Sequence, residues 1–208
     1  MLSVYHEVYA KLNDDEIAAR ANVKELGLRQ VFMTLGQPAL HDPRVRVLVL
    51  GCADRRLIAP HERIFSSLLR KPVDLTTLDV NIEHLQGISG VIQHDAALPL
   101  PVPPYGMIYG DILVRFLEPA KQFAVLKNSW DALAPGGMAI HIFNQEDFDP
   151  PKDYAPLPGT YKVDLNALQA DLNKGGIEYL EVPLRFDATS PDGRDMSINE
   201  FALVLRKK

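Results

Sequence analysis

The 208-residue chain holds a single cysteine, a single tryptophan and no excess of positive charge. Cys52 alone cannot form an internal disulfide, which fits a reducing compartment, so a cytoplasmic protein is expected. The formal net charge of −5 argues against nucleic acid as the main partner, because proteins that grip a phosphate backbone carry a basic face. Tight basic pairs occur only at Arg55-Arg56, Arg70-Lys71 and the Arg206-Lys207-Lys208 end. No apolar run is long enough to span a bilayer, and the first residues lack the basic-then-apolar order of a signal peptide, so no membrane partner is expected. The six histidines show no pairing at zinc-ligand spacing, and no metal site is expected. No G-x-x-x-x-G-K-[ST] loop or G-x-S-x-G elbow is present, so nucleoside-triphosphate and nucleophile-elbow chemistry have no support. Nothing in the sequence sets an oligomeric state.

What is present is an ordinary globular composition, 47% apolar and 24% charged, in a length that fits one domain with a sizeable core. The first 44 residues read as a helical cap, with a capping box at Asn13 and Glu16 opening a helix that runs toward Leu26. Gly27 is expected to end it, and Leu28–Leu35 to form another helix closed by Gly36 and Pro38. From residue 45 strand and helix signals alternate. Strands are expected at Val45–Leu50, Val73–Leu78, Gly90–His94, Gly106–Tyr109 and Met138–Phe143. Helices are expected after Pro60 (apolar face Ile64, Phe65, Leu68, Leu69), at Pro119–Leu133 and at Asp164–Leu172, with a short turn at Ile82–Gln86. Ile177–Phe186 and Ile198–Leu205, joined by the turn-rich Asp187–Asp195, should be an antiparallel pair. The alternation predicts a single α/β domain over 1–208, with the core at 45–208 and helices on both faces of a mostly parallel sheet.

Residues 47–51, Val-Leu-Val-Leu-Gly, followed by Cys52-Ala53-Asp54, carry the strongest functional signal. They read as a buried strand that stops at a glycine, where the backbone can approach a ligand closely. An acid ends the second strand (Asp79), another follows the third (Asp95), and Ala134-Pro135-Gly136-Gly137 precedes the fifth.

The order Gly51, Asp79, Asp95-Ala96 with Leu98-Pro99, Tyr109–Asp111, then Leu133-Ala134-Pro135-Gly136-Gly137 resembles the class I S-adenosylmethionine-dependent methyltransferases over roughly residues 45–208. The resemblance implies a Rossmann-like, seven-stranded, mostly parallel sheet with a reversed last strand. It implies S-adenosyl-L-methionine as cofactor, held by Gly51, Cys52, Ala53, Asp79, Val80, Asp95, Ala96 and Asp111. In such enzymes the acid at Asp79 accepts from the ribose hydroxyls and the acid at Asp95 reads the adenine amino group. The plain alternatives are a turn-capping Asp79 before Asn81 and an Asp95 that caps the following loop. The first loop departs from the family's acid-x-Gly-x-Gly-x-Gly, with Val49, Ala53 and Arg55 at the expected places. Arg55 or Arg56 either pairs with the cofactor's carboxylate or is solvated.

Methyl transfer is an in-line displacement that depends chiefly on alignment, with a base needed only when the acceptor loses a proton early. Candidate catalytic residues at strand ends are Asp111 and His141 first, then Tyr109 and His94. Each has a structural alternative: core packing for Tyr109, a helix cap for Asp111, hydrogen-bonded sheet positions for the histidines. Pro103-Pro104-Tyr105 precedes the fourth strand and is a turn. The irregular segment 144–160, with Glu146, Asp147, Asp149 and Asp153, would help shape an acceptor pocket together with the N-terminal helices. The expected function is methyl transfer to a small-molecule acceptor. The alternatives are a methyltransferase-fold binding or scaffold protein that has lost turnover and, further off, an aminopropyl transferase.

Overall fold

Val45–Leu50 (β1) is the axis of the fold. The residues alternate in the side they present: Val45, Val47 and Val49 join one apolar cluster, and Leu48 and Leu50 join the other. A strand buried on both faces in this way requires helices on both. The computed structural model describes residues 4–148, 158–189 and 194–208. Along the chain, α1 (Val4–Ala10) and α2 (Asp14–Leu35) precede β1, then come α3 (Ile58–Leu69), β2 (Val73–Asp79) and β3 (Val91–Gln93). They are followed by β4 (Tyr105–Asp111), α4 (Pro119–Asp131), β5 (Leu133–Asn144), α5 (Leu165–Lys174), β6 (Tyr179–Thr189) and β7 (Asp195–Arg206).

The seven strands lie in the order β3-β2-β1-β4-β5-β7-β6. β7 runs antiparallel to both neighbours, and the other pairings are parallel. The expected Rossmann-like α/β sheet with a reversed last strand is therefore the architecture found. The strand order reverses direction between β1 and β4, and the crevice beyond their C-terminal ends is where open α/β sheets place ligands. Leu28, Val31 and Phe32 of α2 and Ile64, Phe65, Leu68 and Leu69 of α3 cover one face. Val125 and Leu126 of α4 with Leu168 and Leu172 of α5 cover the other.

Three expectations about element ends are corrected. Gly27 does not end a helix: Asp14–Leu35 is continuous, and Gly27 packs within α2 against Leu184 and Phe186 of β6. A glycine there costs helix propensity but brings helix and sheet together. The segment Asp187–Asp195 is not all turn, because Asp187 pairs with Ser197 and Thr189 with Asp195 in the β6–β7 ladder. The Ser197 hydroxyl donates to Asp187 Oδ1 at 2.8 Å, which lets polar, turn-forming residues remain extended. The Ala134-Pro135-Gly136-Gly137 turn lies inside β5, where the register against β4 shifts between Tyr105 and Met107. Gly136 has φ +76°, and a Cβ there would stand 2.4 Å from the Ala39 carbonyl oxygen, so a side chain is excluded. No helix among the described residues is long and apolar enough to cross a membrane.

The expected capping box is present. Glu16 N–H donates to Asn13 Oδ1 at 2.9 Å, and Asn13 N–H donates to Glu16 Oε2 at 2.8 Å. Replacing Asn13 by Ala should cost about 1 kcal/mol of unfolding free energy in urea titration. An unchanged midpoint would mean that α2 is held by packing alone.

Candidate active site

The crevice at the β1/β4 switch point contains two cavities that share one side chain, Asp111. The first, about 270 Å³, is walled by Gly51, Ala53, Asp79, Val80, Asp95 and Ala96, with Asp111 on its far side. The second, about 400 Å³, lies between one face of α2 (Glu16, Ala19, Arg20, Val23, Lys24) and the ends of β4, β5 and β7. Both are near the lower end of the range for small-molecule sites.

Local structure sets each wall of the first cavity. Gly51 has φ +75°, a left-handed conformation that lets β1 break sharply, and its N–H donates to Leu78 O at 2.7 Å. Asp79 is buried, 5% exposed, and its carboxylate joins two loops. Oδ2 accepts from Cys52 N–H at 3.0 Å, and Oδ1 accepts from Asn81 N–H at 3.0 Å. The turn-capping reading of Asp79 is thus realised, and its position on the cavity wall is realised as well. Asp95 turns its own loop, with Oδ1 accepting from Ala97 N–H at 2.9 Å, while Oδ2 stands 3.7 Å from Lys121 Nζ. Ala96 is buried beneath, and Val80 is 60% exposed at the rim.

Cys52 stands apart from the other expected cofactor contacts. Its thiol is buried with Leu57, Leu85 and the cap residues Tyr9 and Ile17, and burial pushes it up to about 12. Only its backbone bears on the cavity, through Asp79. The arginines of the first loop divide. Arg55 is exposed at the start of the short 3-10 turn Arg55–Leu57 and does not plug the crevice. Arg56 is committed to the cap: its guanidinium donates to Asp54 Oδ2 (2.7 Å), Asp14 Oδ1 (2.9 Å) and the carbonyls of Leu12 (3.0 Å) and Tyr9 (3.3 Å). It ties the N-terminal helices to the β1 loop and is not available to a cofactor carboxylate.

Of the catalytic candidates, Asp111 alone stands between the cavities. It does not cap a helix; it forms an ion pair with Lys24 of α2, both side chains being largely buried. The next residue, Ile112, is held at φ +56°, costly for a β-branched residue (about 1–3 kcal/mol), and its N–H donates to Ile142 O at 2.9 Å. His141 is fully buried within the sheet core, and neither ring nitrogen has a hydrogen-bond partner. Burial lowers its pKa to about 4, and it lines neither cavity. The expectation of a catalytic, or even a hydrogen-bonded, His141 does not fit this placement. Tyr109 is buried, packs edge-on against His61 and Phe65, and forms part of the second cavity's floor. His94 shares a 3.0 Å hydrogen bond between Nε2 and Pro99 O at the rim of the first. Of the acidic segment, Asp149 and Asp153 lie outside the described residues, and Glu146 is exposed.

Several residues of the crevice are not singled out by sequence motifs: Lys24 and Arg20 on α2, Glu200 on β7, and His6 and His84 beside Asp79. The α2 group had a signal, since positions 16, 19, 20, 23, 24 and 27 share one helical face.

No protein-family model matches this sequence, and no curated protein matches it. Solved structures do resemble the fold. The N-methyltransferase NodS from Bradyrhizobium japonicum, in complex with S-adenosyl-L-homocysteine, is 17% identical with a TM-score of 0.56, over 99% of each chain. An S-adenosylmethionine-dependent methyltransferase from Clostridium acetobutylicum is 10% identical with a TM-score of 0.57, over 96% of this chain and 94% of its own. TehB from Haemophilus influenzae is 17% identical with a TM-score of 0.53, covering 87% of this chain, which spans 61% of the TehB chain. The class that sheet order and crevice define is the Rossmann-like methyltransferase fold, and this chain has that fold.

The Asp54–Arg56 link predicts a pH dependence. Burial raises the Asp54 pKa, but hydrogen bonds from the Arg56 side chain and N–H, with its charge, outweigh it and hold the carboxyl below its ordinary value. A lowered folded-state pKa means that the link stabilises fully above the unfolded value, about 3.9, and is lost as pH falls through the lowered one. The stability difference between wild type and Arg56→Met, measured by urea titration, should be constant near neutrality and shrink below about pH 3.9. A difference independent of pH would exclude the link as its source.

Proposed function

We propose that this protein transfers a methyl group from S-adenosyl-L-methionine to a polar small-molecule acceptor. The observation that carries the reading is the pair of cavities meeting at Asp111. One is walled by the broken β1 loop and two carboxylates, and the other is covered by the N-terminal helices. Asp79 would accept from ribose hydroxyls, Asp95 from the adenine amino group, and the main chain at Gly51 would lie against the methionine portion. The bound cofactor would supply an electrophilic sulfonium methyl. The chain supplies alignment, which is worth most in such a displacement.

Asp111 is the residue best placed to act on an acceptor. Lys24 pairs with its carboxylate at the partition, and that carboxylate can receive a proton from an amine or hydroxyl that approaches through the second cavity. Glu16, Glu200, Arg20 and Lys24 line that cavity, which favours an acceptor with polar groups over a purely apolar one. Cap and core act as one domain in this reading, because Arg56 joins the cap to the β1 loop.

One observation favours the scaffold alternative. Asp79 Oδ2 already accepts a backbone bond and lies 3.6 Å from His6 Nε2, so ribose would have to share it. Calorimetric titration with S-adenosyl-L-methionine decides between them. Micromolar binding supports the enzyme, and Asp95→Ala should weaken it roughly tenfold to a hundredfold, the worth of a hydrogen bond to a charged group. Binding weaker than millimolar would leave the scaffold reading.

A further inference from the structure

Three side chains from separate parts of the chain converge at the rim of the first cavity. His6 comes from α1, Asp79 from the end of β2, and His84 from the 3-10 turn Glu83–Leu85. One donor atom of each, a ring nitrogen or a carboxylate oxygen, lies within 4.8 Å of the other two. His6 Nε2 and Asp79 Oδ2 are 3.6 Å apart. Tetrahedral zinc, with bonds of about 2.0–2.2 Å, sets adjacent ligand atoms about 3.3–3.5 Å apart, so this edge is nearly formed already. The two imidazole rings are tilted by 50° with centroids 4.3 Å apart, so they do not stack flat on one another.

The surroundings of these groups are those of a prepared ligand set. His84 Nε2 is 2.6 Å from Cys52 O. A carbonyl only accepts, so Nε2 carries the proton and Nδ1 of the neutral ring presents a bare lone pair. That Nδ1 is buried and has no hydrogen-bond partner. An imidazole that donates one N–H to a backbone carbonyl and keeps its other nitrogen bare is the arrangement metal-bound histidines use. Asp79 is oriented in the same manner, by N–H groups of Cys52 and Asn81. Two borderline nitrogens and one hard oxygen form a donor set suited to zinc, in which three protein ligands leave a fourth position open.

We infer that His6, Asp79 and His84 bind a divalent transition metal of the zinc type at the rim of the first cavity, with one coordination position left open. Sequence spacing conceals the site, because α1 contributes a ligand to a loop pair more than seventy positions away in the chain. Asp79 would then serve two masters. A metal on its carboxylate and a ribose hydroxyl would compete for the same oxygen, and reciprocity requires each to weaken the other. This last consequence rests on the methyl-donor reading; the metal site does not.

The test uses the full chain without a histidine tag, stripped with chelator and free of nucleoside. Cobalt(II) is added while the visible absorption of low-coordinate cobalt is followed, and zinc is then titrated to displace it. One equivalent should bind saturably. Loss of an outer-shell group alone typically costs about tenfold to a hundredfold, so His6→Ala and His84→Ala should each weaken binding by about tenfold or more. His41→Ala, at an exposed loop position, should leave it unchanged. His6 belongs to the short α1 outside the sheet, so its variant answers the question even where His84→Ala fails to fold. No saturable uptake, or uptake that survives the His6 substitution, overturns the inference. Because no nucleoside is present, that failure is separate from any failure to bind S-adenosyl-L-methionine.

Discussion

A buried carboxylate cannot remain unpaired, and Asp79 is the one on which the crevice depends. It closes β2, and it draws the N–H groups of Cys52 and Asn81 onto its two oxygens. The bond to Cys52 fixes the path of the β1 loop just after Gly51 turns with positive φ. The bond to Asn81 fixes the turn after β2. Two loops from neighbouring parallel strands are thus tied together beside the topological switch point by a single carboxylate, and both line the cavity. Desolvation makes this arrangement costly to disturb, because breaking either bond would leave a buried charge short of a partner.

The second constraint is the cap. α2 is one long helix with two jobs along its length. Its C-terminal half, through Leu28, Val31 and Phe32, is part of the sheet's apolar cover. Its N-terminal half overhangs the crevice and presents Glu16, Arg20 and Lys24 to it. Arg56 joins the two regimes. It reaches the carbonyls of Tyr9 and Leu12 at the α1–α2 junction while it neutralises Asp54 in the β1 loop. Arg55, which stands at an expected glycine place in that loop, is exposed, and the anchor for the helices is its neighbour Arg56.

How much of this could be read from the chain depends on the range of each interaction. β1 was legible because a run buried on both faces carries its signal in consecutive residues, and the capping box was legible because its partners are three positions apart. Asp79 and Asp95 were found at strand ends because the alternation of elements places them there. The failures have the opposite character. Gly27 read as a helix stop because its local chemistry allows one; what overrides it is contact with β6, more than 150 residues further on. His141 was attractive as a residue near a strand end, yet its side chain faces the buried core, and periodicity cannot tell that from the cavity side. Lys24, His6 and His84 acquire meaning only from partners at 111 and 79.

The partition between the two cavities shows how such long-range terms act on local geometry. β4 would continue past Asp111 if Ile112 were extended. Instead Ile112 is turned to φ +56° and tied by its N–H to Ile142, so the chain breaks sideways immediately after the acid. That conformation is costly for a β-branched residue. Across the crevice, Lys24 of α2 meets the carboxylate of the preceding Asp111. The pair leaves Asp111 shared between both cavities. Strain of this kind persists only where the surrounding structure over-determines it, and here the determining group comes from a helix that the sheet alone does not require.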